Sequence, residues 1–174
     1  MNGQQIVVSL TDQRLQLREN GKVVMDVMVA TAKNGPGELS GSESTPRGKH
    51  IIRAKIGKQC PIYSVFVGRR PTGEIFSEQL RQQYPDRDWI LSRIMWLSGL
   101  EVGKNRLGNV DTMRRYIYIH GCPDDEIQGQ PNSHGCVRMK NTEVIKLFEK
   151  VKLGAFVLIL EQPMSAIETG TPDK

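Results

Sequence analysis

The sequence is short of several features that mark membrane, secreted and nucleic-acid-binding proteins. Aromatic residues make up only 6% of its 174 residues, which is few for a surface that stacks on nucleobases. Three cysteines are too few, and odd in number, for a disulfide framework, so they fit a reducing compartment or a catalytic thiol. The longest apolar run, residues 155–160, is far too short for a transmembrane helix. These absences exclude a membrane span and a disulfide scaffold, and they disfavour nucleic acid as a partner.

The N-terminal residues lack the pattern of an export signal. Residues 1–5 carry no basic segment, and the apolar run 6–8 is far shorter than the apolar region of a secretory signal. We therefore predict a cytoplasmic protein, with the periplasm or cell envelope as the alternative if an N-terminal signal was removed.

The composition is that of one folded domain. The length fits a single domain of roughly 100–200 residues, and 38% hydrophobic with 25% charged residues is an ordinary globular mixture. The net charge of +5 (24 basic minus 19 acidic residues) suits an acidic partner, such as a substrate rich in carboxylates. Since no repeat or linker divides the chain, we predict one domain over residues 1–162 and a loose tail over 163–174.

Alternating polarity predicts that most elements are strands. Residues 5–10 and 14–18 alternate, and Asn20-Gly21 then indicates a tight hairpin into a strand over 23–31. Further strands are predicted at 50–56, 115–120 and 155–160, and residues 89–97 are a buried segment of undecided type. The one clear helix begins with Asn141 as its N-cap and runs through Val151.

Residues 57–88 show no clear periodicity. A stretch of this length inside a compact domain is typical of a lid or binding loop. Its four arginines are interpreted as solvated side chains that could touch an acidic peptide, and three aromatic residues further along the chain are interpreted as core rather than pocket lining. These residues are Arg69, Arg70, Arg81 and Arg87, and Trp96, Tyr116 and Tyr118.

Two short motifs carry the chemistry: His120-Gly121-Cys122 and, after a gap, Ser133-His134-Gly135-Cys136. A cysteine nucleophile needs a thiolate, and an imidazole within hydrogen-bond reach supplies one by lowering the thiol pKa. Glycine removes side-chain bulk where a substrate carbonyl approaches backbone N–H groups. The motifs therefore predict a cysteine–histidine site for acyl transfer.

These residues resemble the signature of the L,D-transpeptidase catalytic domain family, YkuD type. That signature is His-Gly, a gap, and Ser-His-Gly-Cys followed by an apolar residue and Arg or Asn, matched here at 120–121 and 133–138. Weaker likeness extends over about residues 5–161, at Thr45-Pro46-Arg47-Gly48, Pro71-Thr72-Gly73 and residues 94–100. The resemblance implies a mostly β fold, a mixed-sheet β-sandwich or barrel-like single domain with one helix in its C-terminal half.

The family's functional residues carry over onto the matching positions. The resemblance implies Cys136 as the nucleophile and His120 as its general base, with the Gly121 carbonyl orienting the imidazole. It implies the Gly135 and Cys136 amides as the oxyanion hole, and no cofactor or metal. The other implied site residues are those that shape the turn, Ser133, His134 and Gly135, and a ligand of a substrate carboxylate, Arg138.

The resemblance also implies peptidoglycan stem peptides or muropeptides as substrates. The Cys136 thiolate would attack the carbonyl of the third residue, a diamino acid, and expel the terminal D-alanine. Water would then complete an L,D-carboxypeptidase reaction, whereas the amine of another stem would complete an L,D-transpeptidase reaction. A cytoplasmic protein fits trimming in muropeptide recycling, and cross-linking fits an exported one. Carbapenems are the implied covalent inhibitors.

Cys122 departs from the family pattern, in which many relatives have threonine. It leaves open redox sensitivity or a Cys122–Cys136 disulfide. A different reading takes His120, Cys122, His134 and Cys136 as the ligands of a structural zinc ion, because the residue types fit. The spacing of these pairs is closer than zinc modules generally use, and a domain of this size does not need a metal to fold.

Overall fold

The computed structural model describes residues 3–167, which form ten β-strands, two α-helices and short 3-10 turns. The strands are β1 (Gln4–Ser9), β2 (Arg14–Glu19), β3 (Lys22–Met28), β4 (Gly48–Ile56), β5 (Ser64–Val67), β6 (Arg70–Ile75), β7 (Ile90–Gly99), β8 (Tyr118–Gly121), β9 (Val137–Met139) and β10 (Phe156–Leu160), and the helices are α1 (Glu78–Gln83) and α2 (Asn141–Lys150). No helix in this described range is long and apolar enough to cross a membrane.

All ten strands belong to one mixed sheet, which confirms the predicted mostly β fold. The main path runs β3-β2-β1-β10-β4-β7-β5-β6, and β8 and β9 branch off at β7. The β1–β10 and β8–β9 pairs are parallel, and the other pairs are antiparallel. Because β7 holds β4 and β5 along one edge and β8 along the other, it connects the branch to the rest of the sheet.

Helix α2 packs on the sheet at β7 and β8. Its apolar residues recur at helical spacing, and Val144, Leu147 and Phe148 are buried in the main core with side chains from both halves of the sheet. Burying each such side chain contributes roughly 1.5–3 kcal/mol to folding. This face of the helix therefore supports β8, the strand that carries His120, and its neighbour β7.

Asn141 is buried at the first position of α2, and it is not the N-cap that the sequence predicted. Its amide N–H and its Nδ2 both donate to Asp124 Oδ1, at 2.8 and 2.9 Å, so a carboxylate from another segment caps the helix. Nδ2 also donates to the Cys122 carbonyl at 2.8 Å, and the Ser92 hydroxyl donates to Oδ1 at 2.6 Å. One side chain thus joins β7, the end of β8 and the start of α2.

Residues 57–88 are more regular than the sequence predicted, since they contain β5, β6 and α1. Gly68 and Arg69 connect β5 to β6 with φ angles of +54° and +67°. Two consecutive left-handed residues are typical of the tight hairpin turn whose twist matches that of its strands. Helix α1 was missed because it is only six residues long. Its N-terminus is capped by the Ser77 side chain, which accepts from the Leu80 N–H.

Two further segments differ from the sequence prediction. Strand β8 begins at Tyr118 rather than at 115, because the chain is still in a turn at Tyr116, where φ is +57°. Residues 163–167, predicted as part of a loose tail, contact the body of the domain: the Met164 N–H donates to Asp12 Oδ2 at 2.7 Å. The rest of that predicted tail, 168–174, lies outside the described residues.

Replacing Asn141 with alanine should lower the free energy of unfolding by about 2–4 kcal/mol. The change leaves the buried Cys122 carbonyl and Ser92 hydroxyl without this partner, and each orphaned buried group costs about 1–3 kcal/mol. Urea denaturation followed by circular dichroism measures the effect. Thr142→Ala, one residue further on and exposed, is the matched control and should change stability by less than about 0.5 kcal/mol. Equal effects of the two substitutions would contradict this role of Asn141.

Candidate active site

The two signature segments lie side by side because β8 and β9 pair in parallel. His120 stands opposite Arg138 in the register, and Cys136 directly precedes β9. The side chains of His120 and Cys136 line one open cavity of about 470 Å³. The structure therefore brings together the nucleophile and the base that the sequence implied.

The His120 imidazole is buried and oriented by its neighbour. Its Nδ1 lies 2.6 Å from the Gly121 carbonyl oxygen, as implied for Gly121. Because a carbonyl only accepts, Nδ1 carries the proton and Nε2 keeps a lone pair. No hydrogen bond to Nε2 is formed by any residue in the described range. Burial lowers the pKa of His120 to about 4, so at neutral pH the ring is uncharged and ready to accept a proton.

The Cys136 thiol is half-buried and contacts backbone groups of the segment that leads into β8. The Tyr118 N–H donates to Sγ at 3.3 Å, and Sγ lies 3.5 Å from the Tyr116 carbonyl oxygen. Burial raises the pKa of the Cys136 thiol, an effect larger than the opposing contribution of the Tyr118 N–H. The sequence predicted that a neighbouring imidazole lowers this pKa, and the structure corrects that prediction. Burial thus favours a neutral thiol and a neutral imidazole at rest.

The turn before Cys136 uses one of the two amides predicted for the oxyanion hole. The Gly135 N–H donates to Ser133 Oγ at 3.2 Å, and that hydroxyl donates to the Cys136 carbonyl at 2.6 Å. The Cys136 N–H has no partner among residues 3–167. This amide and the Tyr118 N–H, which donates to the sulfur, are therefore candidate donors for an oxyanion.

Gly135 is required by the close approach of the turn to its neighbours. Its φ is +133°, and a Cβ atom there would lie 2.9 Å from Ile117 Cδ1 and 3.2 Å from the Ser44 carbonyl oxygen. The Thr45 hydroxyl donates to the Gly135 carbonyl at 2.9 Å and holds the turn from the other side. His134, in contrast, is mostly exposed at the cavity mouth, with Nδ1 3.9 Å from the Asp88 carboxylate.

Arg138 lines the cavity, but its guanidinium is already paired. One terminal nitrogen forms an ion pair with Glu126, and the other donates to Asn132 Oδ1 at 2.9 Å. The residue is almost completely buried. Binding of a substrate carboxylate by Arg138, as the sequence implied, would require this internal pair to open.

The sequence analysis missed several residues that line the cavity. Tyr116, predicted as core, is 55% exposed there, and Arg69 lines the cavity as well, whereas Tyr118 lines it while being buried in a core cluster, as predicted. The sequence did contain a signal for Tyr118, because it lies two residues before His120 and residues two apart in a strand share a face. Two other arginines predicted as solvated form ion pairs, Arg81 with Asp125 and Arg87 with Glu74.

Cys122 lies apart from the reactive thiol. It is fully buried in a small cluster with Ala30 and Ile127, and burial raises the pKa of its thiol to about 12. All three cysteines of the chain are free, so the Cys122–Cys136 disulfide left open by the sequence is not formed. The four residues of the alternative zinc site do not converge either: within residues 3–167, no three His, Cys, Asp or Glu side chains form a group suited to a metal ion.

Comparison with known proteins decides the family. The family model of the YkuD L,D-transpeptidase catalytic domain matches residues 3–159. The chain belongs to this family. "Probable L,D-transpeptidase YbiS" of Escherichia coli is 41% identical over 59 residues, which cover 34% of this chain and 19% of that protein.

Solved L,D-transpeptidases share the fold. An L,D-transpeptidase from Xylanimonas cellulosilytica is 20% identical with a TM-score of 0.54, covering 91% of this chain and 61% of that one. The L,D-transpeptidase LdtMt1 in complex with imipenem is 18% identical with a TM-score of 0.55, covering 91% and 59%. The chain thus spans about three fifths of these solved relatives and only a small part of YbiS.

Modification of Cys136 by iodoacetamide should accelerate about tenfold per pH unit between about pH 7 and 9. The thiolate is the reactive form, and below a raised pKa its fraction grows tenfold with each unit. Peptide-resolved mass spectrometry measures the rate at each cysteine, and the buried Cys122 should stay unmodified as an internal control. A rate that has already reached its plateau at neutral pH would indicate a preformed thiolate–imidazolium pair and contradict the neutral resting state.

Proposed function

We propose that this chain carries out cysteine-dependent acyl transfer on stem tetrapeptides of peptidoglycan. It would cleave the L,D bond between the third-position diamino acid and the terminal D-alanine, with hydrolysis as the main outcome. The observation that carries the proposal is the pairing of His120 and Cys136 in one cavity, on the parallel strands of a family member.

Acylation starts from the neutral pair. Sγ of Cys136 attacks the carbonyl carbon of the third residue while its proton passes to Nε2 of His120, which becomes an imidazolium. The Cys136 and Tyr118 N–H groups are placed to hold the negative charge on the former carbonyl oxygen. As the tetrahedral intermediate collapses, the imidazolium gives its proton to the amine of the leaving D-alanine. A thioester on Cys136 remains.

Deacylation repeats these proton transfers with a different nucleophile. A water molecule attacks the thioester carbon, His120 takes a proton from it, and collapse returns the thiol and releases a tripeptide. The exposed rim of the cavity, with Tyr116 and His134 largely in solvent, supports hydrolysis because water reaches the thioester directly. This outcome is the L,D-carboxypeptidase reaction used to trim muropeptides.

Cross-linking is the second candidate, and a neighbouring cavity favours it. This cavity of about 450 Å³ is lined by Glu126 and Asn132, the two residues that bind Arg138 at the edge of the first cavity. An amine-bearing acceptor stem seated there would approach the thioester from the side of β9. Attack by that amine instead of water would form a peptide bond between two stems.

Mass spectrometry of a tetrapeptide muropeptide incubated with the protein tests both candidates. The wild type should remove one alanine and give no dimer, even with acceptor stem in excess. Cys136→Ala should abolish the reaction, and His120→Gln should slow it by about 100-fold to 10,000-fold because the general base is lost. Cys60→Ala removes a half-buried thiol that does not line the cavity, so it should retain activity.

Each alternative product has a distinct meaning. Formation of a dimer that has lost one alanine would show that the protein catalyses cross-linking rather than hydrolysis. Folded wild-type protein that leaves the muropeptide unchanged would contradict the proposed function.

Incubation with a carbapenem should add one inhibitor mass to Cys136. The same attack by Sγ opens the β-lactam ring and leaves an acyl-enzyme, and the LdtMt1 structure was solved in complex with imipenem. Intact-protein mass spectrometry should show the adduct in the wild type and in Cys60→Ala but not in Cys136→Ala. Wild-type protein that stays unmodified after prolonged incubation would count against this chemistry.

A further inference from the structure

Three arginines line the cavity that contains Cys136, and they differ in the groups to which each guanidinium is already bonded. Arg138 is paired with Glu126. The terminal nitrogens of Arg115 donate to oxygen atoms of the 37–44 segment. Arg69 donates to the Tyr118 phenol oxygen at 3.0 Å, and no carboxylate in the described part of the chain pairs with it. Arg69 is therefore the cavity arginine whose guanidinium has neither a carboxylate nor a shell of carbonyl oxygens.

The Arg69 side chain is also held in place before any ligand arrives. Its guanidinium carbon lies 4.6 Å from the ring centroid of Trp96 and 4.8 Å from that of Tyr116, which is cation–π distance. A planar guanidinium stacked on aromatic rings keeps its N–H edge free for a carboxylate, with two parallel hydrogen bonds. The backbone supports the same position, because Arg69 adopts a left-handed φ of +67° at the tip of the β5–β6 hairpin.

Two of the aromatic residues beneath Arg69 also contact the reactive sulfur. Tyr118 donates its N–H to Cys136 Sγ and accepts from Arg69 at its phenol oxygen. Tyr116 places its carbonyl oxygen 3.5 Å from Sγ while its ring stacks with the guanidinium. The Arg69 guanidinium therefore lies one tyrosine side chain away from Cys136 Sγ.

We propose that Arg69 is the substrate-binding residue that receives a carboxylate of the stem peptide. This inference rests on the proposed function and reassigns to Arg69 the role that the sequence implied for Arg138. Two carboxylates of the donor stem could be the one that Arg69 binds. One is at the end of the diamino-acid side chain, and the other is on the terminal D-alanine. Both would form the same bidentate pair with the guanidinium.

Three matched tetrapeptides distinguish the two sources. One carries both carboxylates, the second carries an amide in place of the side-chain carboxylate, and the third carries a C-terminal amide. Each amide keeps the shape of the acid and removes its charge. The release of the C-terminal alanine or its amide is followed for each peptide, and kcat/KM is determined for the wild type, Arg69→Gln and Arg69→Lys. Arg70→Gln is the control, because it removes the same charge from the adjacent exposed position, which does not line the cavity.

The wild type and Arg70→Gln should prefer the acid to one of the two amides by about 10-fold to 100-fold, the usual size of a charge-assisted hydrogen-bond pair. Arg69→Gln should lose that preference, and Arg69→Lys should retain part of it. The amide that Arg69→Gln no longer discriminates against identifies the carboxylate. Thermal unfolding of each variant checks that the hairpin tip remains folded.

Two results would overturn the inference alone, and a third would contradict the proposed function as well. Arg69→Gln that keeps the wild-type preference, or that slows all three peptides equally, would show that Arg69 binds neither of these two carboxylates. Wild-type protein that processes none of the three peptides would contradict the proposed function, and the role of Arg69 with it.

Discussion

The active site depends on the parallel pairing of two very short strands. β8 has four residues and β9 has three, so their own ladder is a weak support. Other segments hold β9 and β8 from their free sides: Ala30 and Arg138 exchange backbone hydrogen bonds of 3.0 and 2.9 Å, and Gly121 packs so closely that a Cβ there would lie 2.5 Å from the Leu91 carbonyl oxygen. The position of His120 relative to Cys136 is thus fixed by the whole sheet rather than by the two strands alone.

The same burial that fixes the pair also sets its charge state. A dry environment disfavours charge, so it lowers the pKa of the imidazole and raises that of the thiol, and the ion pair is disfavoured in the absence of substrate. The hydrogen bond from Nδ1 to the Gly121 carbonyl fixes one tautomer of the His120 ring, in which Nε2 is the nitrogen that can accept a proton. In the proposed reaction, the proton transfer would therefore accompany bond formation, when the developing oxyanion meets backbone N–H groups.

The sequence predicted the residues at the centre of the cavity better than the groups around them. Motifs and strand alternation indicated Cys136, His120 and Gly121, and the structure has these residues close together because short patterns encode local geometry. The engagement of Arg138 by Glu126 and of the Gly135 N–H by Ser133 could not be predicted, since each depends on which groups the fold brings into contact. Asn141 shows the same limit: local rules suggested a cap, but a distant carboxylate, that of Asp124, caps the helix and frees the amide for the interior.

The β5–β6 hairpin stands at one end of the sheet, where β6 has β5 as its paired strand and nothing beyond it along the path. Its tip reaches the cavity through Gly68 and Arg69, whereas His120 lies on β8 and Cys136 directly precedes β9. In the proposed function, the residue that binds the incoming molecule and the residues that break its bond are thus carried by separate elements of the chain. Because Tyr116 and Tyr118 contact both Arg69 and Cys136 Sγ, they couple the hairpin tip to the reactive centre, and a change of ligand preference at the tip would act on the sulfur through these two residues.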